Sequence, residues 1–375
     1  MFNPQLEVLI IAILVSTACS ILGVFLILRK MSMMSDAISH TILLGIVIAF
    51  FITHDITSPF LIIGAAIMGT ITVHFIEMIH KTKLVSSDSA IGLIFPLFFS
   101  IAVILISFYA GDIHLDTDSV LLGEIAFAPF NRVVINNIDF GPKAIYIMGT
   151  ILILNLLYII IFYKELKLTT FDSNLAKAFG FYPVFLQYSL MSLVSLTVVG
   201  AFDSVGAILV VAFMVGPPAC AYLLTKNLKK MIVLSIIIGA IDCIIGYYIA
   251  IYYDVAIAGS IASFIGFNFI IVFLFNPKRG YVYILKDRKN KKYDYAVISF
   301  LMHLINHKDS DIEKEESSIN TISKHLQWDE EFLNEIISIG KIKNFIIITK
   351  KGIIRPTTKG ENYAIKNYYD FISEN

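Results

Sequence analysis

A carboxylate and an imidazole lie four residues apart at the start of the second apolar segment, at Asp36 and His40. Residues at this spacing share one face of an α-helix, so both side chains are within reach of a single ion. Ionisable groups inside a membrane span are costly and usually face a cavity, a partner or a pathway. Carboxylate oxygen with imidazole nitrogen suits Mn, Fe or Zn, and the lack of a thiolate argues against copper(I). The pair is a candidate site for a divalent transition metal.

Two ligands from one chain are too few for a tight metal site. A second copy of the chain or another segment therefore has to complete it. A second interpretation stays open at this point, in which Asp36 caps the helix entry near a basic rim and His40 is merely hydrogen-bonded.

The chain as a whole has the composition of a membrane protein. It has 375 residues, 57% apolar residues and a mean hydropathy of +0.79, whereas soluble chains have about 45–50% apolar residues. A bilayer core needs about 20 apolar residues per helix. The predicted spans are residues 6–28, 33–53, 58–80, 90–110, 143–163, 183–200, 205–224, 230–251 and 255–275.

The basic residues predict an orientation in the membrane, because cytoplasmic loops are enriched in Lys and Arg. Alternate loops carry the basic residues, from Arg29 and Lys30 to Lys278 and Arg279, and the other loops have almost none. We therefore expect the N-terminus outside and everything after residue 276 in the cytoplasm. The formal net charge of zero argues against a generally basic nucleic-acid binder.

Several separated segments carry a family resemblance. They are Asp36–Gly45, Asp88–Gly92, Leu115–Glu124, Phe171–Gly180 and Ser204–Ala219. Together they resemble the permease subunits of the manganese, zinc and iron ABC importers, the ABC-3 family, over most of residues 5–275. Two positions depart from the family pattern: Ser35 stands where Gly is usual, and Leu44 where Pro is frequent.

The resemblance implies an importer subunit of a bacterial cytoplasmic membrane. It implies that Asp36 and His40 bind the transported metal, facing the same pair of a second protomer in a homodimer. The expected cargo is Mn²⁺, with Zn²⁺ or Fe²⁺ as alternatives, and no permanently bound cofactor is expected. The sequence has no Gly-x-x-x-x-Gly-Lys-[Ser/Thr] phosphate loop. The chain is therefore not expected to be an enzyme, and it needs separate ABC ATPase subunits and an extracellular metal-binding protein.

A short amphipathic helix is predicted between the fifth and sixth spans, with Asp172 as N-cap and Gly180 as its C′ residue. An exposed helix on the cytoplasmic side offers the ATPase a surface to push on, and a plain surface loop is the alternative. The predicted ATPase-coupling residues are Asp172, Leu175, Ala176, Lys177, Phe179 and Gly180.

The run Gly216, Pro217 and Pro218 is predicted to break the seventh span, since each proline removes a backbone donor. Asp242 and the His74, Glu77 pair are ionisable residues within spans, for which helix packing or dimer contact is favoured over a pathway role. Six residues are assigned to the outer face, where they either attract cations or are simply solvated: His54, Asp55, Asp112, His114, Asp116 and Glu124.

The C-terminal residues differ in composition from the spans. We predict a permease domain over 1–278, a charged linker over 279–294 and a small α+β winged-helix-like cytoplasmic domain over 295–375. The fold class is thus an all-α polytopic membrane protein with about nine spans plus this soluble domain. Lys and Arg are nearly balanced by Asp and Glu after residue 280, so a nucleic-acid partner is not expected.

His303 and His307 are spaced to bind one ion on a helix, with Asp309 nearby. They are candidates for a regulatory metal site, although surface histidines at this spacing are frequently just solvated. Contact with the ATPase or with a second C-terminal domain is the main alternative for this domain.

Three other functions stay open. The first is import of a chelated metal or vitamin through a related ABC permease, against which the Asp36, His40 pair favours a bare ion. The second is a membrane-anchored sensor with a DNA-binding tail, which the mixed charges of the tail disfavour. The third is a secondary transporter or channel, which the predicted coupling helix disfavours.

Overall fold

The helices follow the apolar runs of the sequence. The structure is a computed structural model of the chain that describes residues 4–55, 58, 60–109, 124–135, 138–277, 280–310, 312–319, 321–349 and 352–373. Within these residues, nine helices are long and apolar enough to cross a membrane, which confirms the predicted number of spans. The chain divides into two compact units, Met1–Gly280 and Tyr281–Asn375. The two units are described separately.

The first unit contains eleven α-helices and one β-hairpin within the described residues. The helices are α1 (Pro4–Leu28), α2 (Met34–Thr53), α3 (Phe60–Lys81), α4 (Ser87–Tyr109), α5 (Lys143–Ile161), α6 (Tyr163–Phe171), α7 (Ser173–Ala178), α8 (Pro183–Val205), α9 (Ala207–Leu224), α10 (Leu228–Tyr253) and α11 (Ile257–Phe275). The strands are β1 (Arg132–Ile135) and β2 (Ile138–Pro142).

Helix α1 forms the centre of the first unit. It packs against α5, α8, α9 and α10, and in its second half every residue from Ala18 to Leu26 is buried. A helix that is apolar all round is suited to this position. Helices α2, α3 and α4 pack together, with α3 also against α8, whereas α9, α10 and α11 form a second group. Helix α8 contacts α2 and α3 of the first group and α9 of the second, and therefore joins the two groups.

Two glycines set the close contact between α2 and α3. A Cβ atom on Gly45 would lie 2.3 Å from the carbonyl oxygen of Gly64, and a Cβ on Gly64 would lie 2.7 Å from that of Gly45. Lipid tails are as apolar as the side chains, so helices in a membrane associate through close packing, which small residues permit. The position of α2, which carries Asp36 and His40, therefore depends on this pair of glycines.

The predicted helix break at Gly216, Pro217 and Pro218 is wrong. Helix α9 runs from Ala207 to Leu224 without interruption, and both prolines lie inside it. The prediction assumed that the lost backbone hydrogen bonds could not be replaced. A transmembrane helix can keep such prolines when a neighbouring helix meets the freed carbonyl groups.

Helix α1 lies in contact with both of those carbonyl groups. The prolines leave the carbonyl oxygens of Phe213 and Met214 without an intrahelical donor, because each would have accepted from the residue four positions later. The hydroxyl of Ser20 donates to the Phe213 carbonyl at 3.4 Å. The α-carbon of Gly23 lies so close to the Met214 carbonyl that a Cβ there would be 2.1 Å from its oxygen. The helix continues because its neighbour offers a hydroxyl and a bare backbone at the required positions.

An ion-pair network connects the hairpin to the start of α1. Arg132 at the beginning of β1 donates to both carboxylate oxygens of Glu7, at 2.9 and 3.2 Å, and to Asp139 of β2 at 2.6 Å. The Glu7 residue is only 2% exposed, so this pair of hydrogen bonds compensates a carboxylate that has lost its water. The hydrogen bond from Arg132 also lowers the pKa of Asp139. The guanidinium thus holds the hairpin against the helix.

The second unit is a small mixed domain with its own apolar core. Its elements are α12 (Tyr281–His307), α13 (Glu313–Glu316), α14 (Ile322–Leu326), α15 (Glu330–Ile342), β3 (Ile346–Ile348), β4 (Ile354–Pro356) and α16 (Thr358–Ser373). Phe300, Leu301, Leu304, Ile336 and Ile346 are among its buried core residues. The strands β3 and β4 pair in antiparallel fashion. The winged-helix assignment stays a prediction.

Within the predicted charged linker, residues 281–294 belong to a helix. Helix α12 continues through Lys286 and Asp294 without a break. Lys and Arg are good helix formers. Asp287 also lies four residues before Lys291, where their charged groups approach to 3.5 Å, the order that stabilises a helix. The charge run therefore marks a solvated helical segment.

A methyl group at Gly45 is expected to destabilise the first unit. Gly45→Ala should lower the free energy of unfolding by about 1–3 kcal/mol, the usual cost of overpacking. The matched control is Gly92→Ala in α4, where a Cβ meets nothing within 4 Å. The three cysteines, Cys19, Cys220 and Cys243, are free and buried, so labelling by a thiol-reactive dye during heating measures opening of this unit. Equal dye-labelling midpoints for the two variants would contradict the packing argument.

Candidate functional site

Asp36 and His40 lie together in the first two turns of α2. The carboxylate Oδ1 of Asp36 is 3.7 Å from Nε2 of His40. Asp36 is in the first turn of the helix, where the partial positive charge of the helix N-terminus favours a carboxylate. The structure therefore brings the two predicted ligands within reach of one ion.

The side chains of Asp36 and His40 are only partly buried in the helix bundle. Most of α2 is buried, yet the side chains of Asp36 and His40 are 44% and 36% exposed. The imidazole lies against two rings of α4, with centroids 5.4 Å from Phe95 and 5.8 Å from Phe99. The pair is thus packed on one side and open on the other.

Within one chain, the described residues do not complete a metal site at this position. Among the described residues, three His, Cys, Asp or Glu side chains come close enough to hold a metal ion only in the second unit. Asp36 and His40 supply two ligand atoms, one nitrogen and one oxygen. Further ligands for an ion here have to come from outside the described residues of one chain.

Arg29 connects α6 and α8 to the turn that precedes α2. Its guanidinium donates to Thr170 at 3.2 Å and to Thr169 at 3.3 Å, both at the end of α6, and also to the side-chain oxygen of Gln187 in α8. The amide of Gln187 in turn lies 3.3 Å from the sulfur of Met31, which precedes α2. Arg29 was predicted only as a basic loop residue, because its partners are more than a hundred positions away in the sequence. The guanidinium fixes the start of α2 relative to α6.

Helix α7 is short, capped at both ends and exposed. The carboxylate of Asp172 accepts from the backbone amides of Asn174 and Leu175 at 3.0 and 2.9 Å. Gly180 has a φ of +82°, and the amide of Phe181 donates to the carbonyl of Ala176 at 3.1 Å. This is the Schellman arrangement that glycine permits at a helix end. The N-cap and C′ residues are therefore where the sequence placed them.

The outer side of α7 presents apolar side chains. Leu175 and Phe179 are 44% and 68% exposed, whereas Ala176 is fully buried. Lys177 is also exposed. A short capped helix with exposed leucine and phenylalanine is a surface on which another protein can act.

Of the other span residues singled out from the sequence, His74 and Asp242 contact neighbouring helices. Nδ1 of His74 lies 3.1 Å from the hydroxyl of Tyr188, which joins α3 to α8, and Glu77 lies 3.5 Å from Lys81 on α3 itself. Asp242 accepts from the amide of Asn268 at 2.7 Å, which joins α10 to α11. These contacts agree with the packing roles favoured from the sequence.

Of the six residues predicted for the outer face, the structure describes only some. Asp112, His114 and Asp116 lie outside the described residues. His54 caps the end of α2 with a φ of +52°, and Glu124 is exposed.

In the second unit, two of the three predicted ligands are brought together. His303 and His307 have ring centroids 4.7 Å apart. The third prediction, Asp309, is wrong, because its carboxylate pairs with Arg355 at 3.3 Å. Glu316 takes its place: it forms with both histidines a group whose ligand atoms all lie within 4.8 Å of one another. The sequence signal for Glu316 was hidden in the acidic loop, where no spacing rule distinguishes one carboxylate from the next.

The fold and this site define a polytopic helical membrane protein with an Asp–His pair on the second span. The sequence profile of the ABC 3 transport family matches residues 1–276. The chain therefore belongs to the ABC 3 transport family, as the motifs indicated, and is a multi-pass membrane protein. Its family members are transport subunits of ABC systems.

The similar proteins cover most of this chain and of their own length. The zinc transport system membrane protein TroD of Treponema pallidum is 44% identical over 86% of this chain and 88% of TroD. The manganese transport system membrane protein MntD of Bacillus subtilis is 44% identical over 72% of this chain and 91% of MntD. Among solved structures, PsaBC from Streptococcus pneumoniae in complex with Fab matches with a TM-score of 0.61 and 35% identity, over 76% of this chain and 96% of that chain.

The similarity to TroD extends past the membrane helices. The matched stretch is 323 residues long, and the first unit ends at Gly280, so part of the second unit is included.

Replacing Arg29 is expected to loosen the contact between α6 and the start of α2. Arg29→Gln should lower the dye-labelling midpoint of the first unit, because hydrogen bonds to a charged group contribute about 1.5–3 kcal/mol. Arg29→Lys should recover only part of this, since one ammonium cannot match a fork of five donors. The neighbouring exposed Lys30 provides the control, Lys30→Gln. A midpoint for Arg29→Gln equal to that of the control would disprove the structural role.

Proposed function

We propose that this chain is the membrane-spanning permease subunit of an ATP-driven importer for a divalent transition metal, with Mn²⁺ as the favoured cargo and Zn²⁺ or Fe²⁺ as alternatives. The observation that carries the proposal is the half-exposed Asp36, His40 pair, with ligand atoms 3.7 Å apart, on the mostly buried helix α2. A carboxylate oxygen and an imidazole nitrogen are ligands that these ions accept. The relatives named for manganese and for zinc transport support the same cargo class.

The metal would pass through a site shared by two copies of the chain. One copy supplies Asp36 and His40, whose other neighbours are aromatic rings rather than further ligands. The same two residues of a second copy would bring the ligand count to four, with two nitrogens and two oxygens. Four such ligands would complete a tetrahedral Zn²⁺ site, and they would leave two positions of an octahedral Mn²⁺ for water or other oxygen donors. A homodimer therefore explains both the exposure of the pair and its incompleteness.

ATP hydrolysis would be supplied by separate subunits that push on α7. The sequence has no phosphate-binding loop of its own. Helix α7 offers the exposed side chains of Leu175 and Phe179, and the end of α6 immediately before it is hydrogen-bonded to Arg29. A displacement of α7 would therefore be transmitted through the end of α6 to Arg29, and from Arg29 to the start of α2 and Asp36. Coupling between α7 and the Asp36, His40 pair along this route can be tested with variants of α7.

The remaining parts of the proposal concern the membrane and the partners. The distribution of Lys and Arg favours an outside N-terminus, with the second unit in the cytoplasm of a bacterial cell. An extracellular metal-binding protein would deliver the ion to the outer face. The second unit would be a winged-helix-like domain that contacts proteins rather than nucleic acid, because its charges are nearly balanced.

The first expected outcome concerns the metal pair. Asp36→Ala and His40→Ala should each reduce uptake of radioactive Mn²⁺ by cells to the background of cells lacking the chain, because each removes one of only two ligands. Membrane levels of the protein should not change. The matched control is His54→Asn, at the opposite end of α2, where the left-handed backbone suits asparagine. Normal uptake in both alanine variants would refute the assignment.

The second expected outcome concerns coupling. Leu175→Glu and Phe179→Glu should separate ATP hydrolysis from uptake and reduce co-purification of the ATPase, while metal binding to the isolated permease stays unchanged. Both side chains are exposed and neither takes part in the caps of α7. Leu84→Glu places the same charge at an exposed leucine between α3 and α4 and serves as the control. If the α7 variants transport as well as Leu84→Glu does, α7 is not the contact.

A further inference from the structure

We propose that His303, His307 and Glu316 form a second metal site, in the second unit, that binds a divalent transition ion of the Zn²⁺ type. The site shares no residue with the Asp36, His40 pair. It differs from the site expected from sequence, because Glu316 replaces Asp309 as the carboxylate ligand.

The ligand atoms are already close to the spacing that a bound ion requires. One nitrogen from each histidine and one oxygen of Glu316 lie within 4.8 Å of one another, and Nε2 of His303 is 3.6 Å from Oε2 of Glu316. Ligands at about 2.0–2.1 Å from a tetrahedral Zn²⁺ are separated by about 3.3–3.4 Å. Small side-chain rotations therefore suffice to close the group around an ion. Two imidazoles with one carboxylate also form a ligand set that leaves one position for water.

The group is built on well-anchored elements. His303 and His307 are one turn apart on α12, directly beside the core residues Leu301 and Leu304. Glu316 ends α13, and this helix is held by the ion pair of Glu313 with Arg355 of β4. The hydrogen bonds of this pair raise the pKa of Arg355. The carboxylate is thus positioned near the histidines before any ion binds.

A third histidine fixes the carboxylate. Nδ1 of His325, on α14, lies 3.2 Å from the same Oε2 atom of Glu316. Metal-binding carboxylates are usually held by such an outer hydrogen bond, which orients them and tunes their affinity. The side chains of His303 and Glu316 are only 16% and 20% exposed, so the group is not a set of solvated surface residues. The burial and the supporting histidine together distinguish it from a chance His pair on a helix.

Binding would tie three elements together. An ion at this site links α12 to the end of α13, and through His325 it also holds α14. Nε2 of His303 is 3.1 Å from the carbonyl oxygen of Glu316, a contact that metal ligation through this nitrogen would replace. A ligand that binds only the folded form raises its stability. The second unit should therefore unfold at a higher temperature when Zn²⁺ is present.

The single tryptophan makes this measurable in the full chain. Trp328 is the only tryptophan, and it packs on Phe300 and Phe332 in the second unit. Its fluorescence during heating reports unfolding of that unit, whereas dye labelling of the buried cysteines reports the first unit. Purified full-length chain stripped with a chelator is heated with and without Zn²⁺, and bound Zn²⁺ is counted by equilibrium dialysis.

Zn²⁺ should raise the Trp328 midpoint of the unaltered chain, and the chain should bind one ion more than His303→Gln, His307→Gln or Glu316→Gln. These three variants should lose the Zn²⁺-dependent shift, while His325→Gln should weaken Zn²⁺ affinity by about 10–100-fold, as expected for an outer-sphere partner. Asp309→Asn, an acidic neighbour engaged with Arg355, should behave like the unaltered chain. Trp328 midpoints measured without metal show whether each variant is folded.

A chain carrying both Asp36→Asn and His40→Gln separates this proposal from the transport proposal. It should retain the Trp328 shift, whether or not the pair carries the transported metal. The same Zn²⁺ count in the unaltered chain and in the three ligand variants, or a Trp328 midpoint that Zn²⁺ does not move, would overturn the second site. Neither result would bear on uptake through Asp36 and His40.

Discussion

Polar groups inside the helix bundle have to find protein partners, because the bilayer core holds no water to satisfy them. This constraint explains most of the polar contacts of the first unit. Helix α1 meets the carbonyl groups that the prolines of α9 leave free. Arg132 compensates the buried Glu7, and Asn268 donates to Asp242. Against this background the Asp36, His40 pair stands out, since it is half exposed and gathers no third ligand among the described residues. Such incompleteness is what a site shared with an ion and a second copy would have.

The same constraint makes α1 the structural centre. It packs against α5, α8, α9 and α10, and its apolar circumference allows burial on every side. Near its N-terminal end, Glu7 accepts hydrogen bonds from Arg132 of the β1–β2 hairpin. Just after its C-terminal end, Arg29 donates to Thr170 of α6 and to Gln187 of α8. The segment that precedes α7 is thereby bonded to the turn that precedes Asp36. The proposed coupling between α7 and the Asp36, His40 pair would depend on this connection.

The second unit is stabilised by a separate core of its own. It has an ordinary apolar core, to which α12, α15 and the strands β3 and β4 contribute. Its polar network of Arg355, Glu313 and Asp309 lies beside a histidine and glutamate group with ligand spacing. The charge run that precedes the core is helical because i, i+4 pairs such as Asp287 and Lys291 stabilise it. Sequence similarity to TroD continues into this unit.

The sequence alone determined the features that local rules govern. Hydropathy and length identified the nine spans, helical spacing put Asp36 and His40 on one face, and turn chemistry located Asp172 and Gly180 at the ends of α7. The tertiary structure decided what depends on distant partners. Ser20 lies 193 positions from Phe213, so the continuity of α9 could not be read from its prolines. Glu316 replaced Asp309 because Arg355, from a later strand, holds the aspartate and anchors α13. Spacing rules act within a few residues, whereas these outcomes depend on which side chains the folded chain brings together.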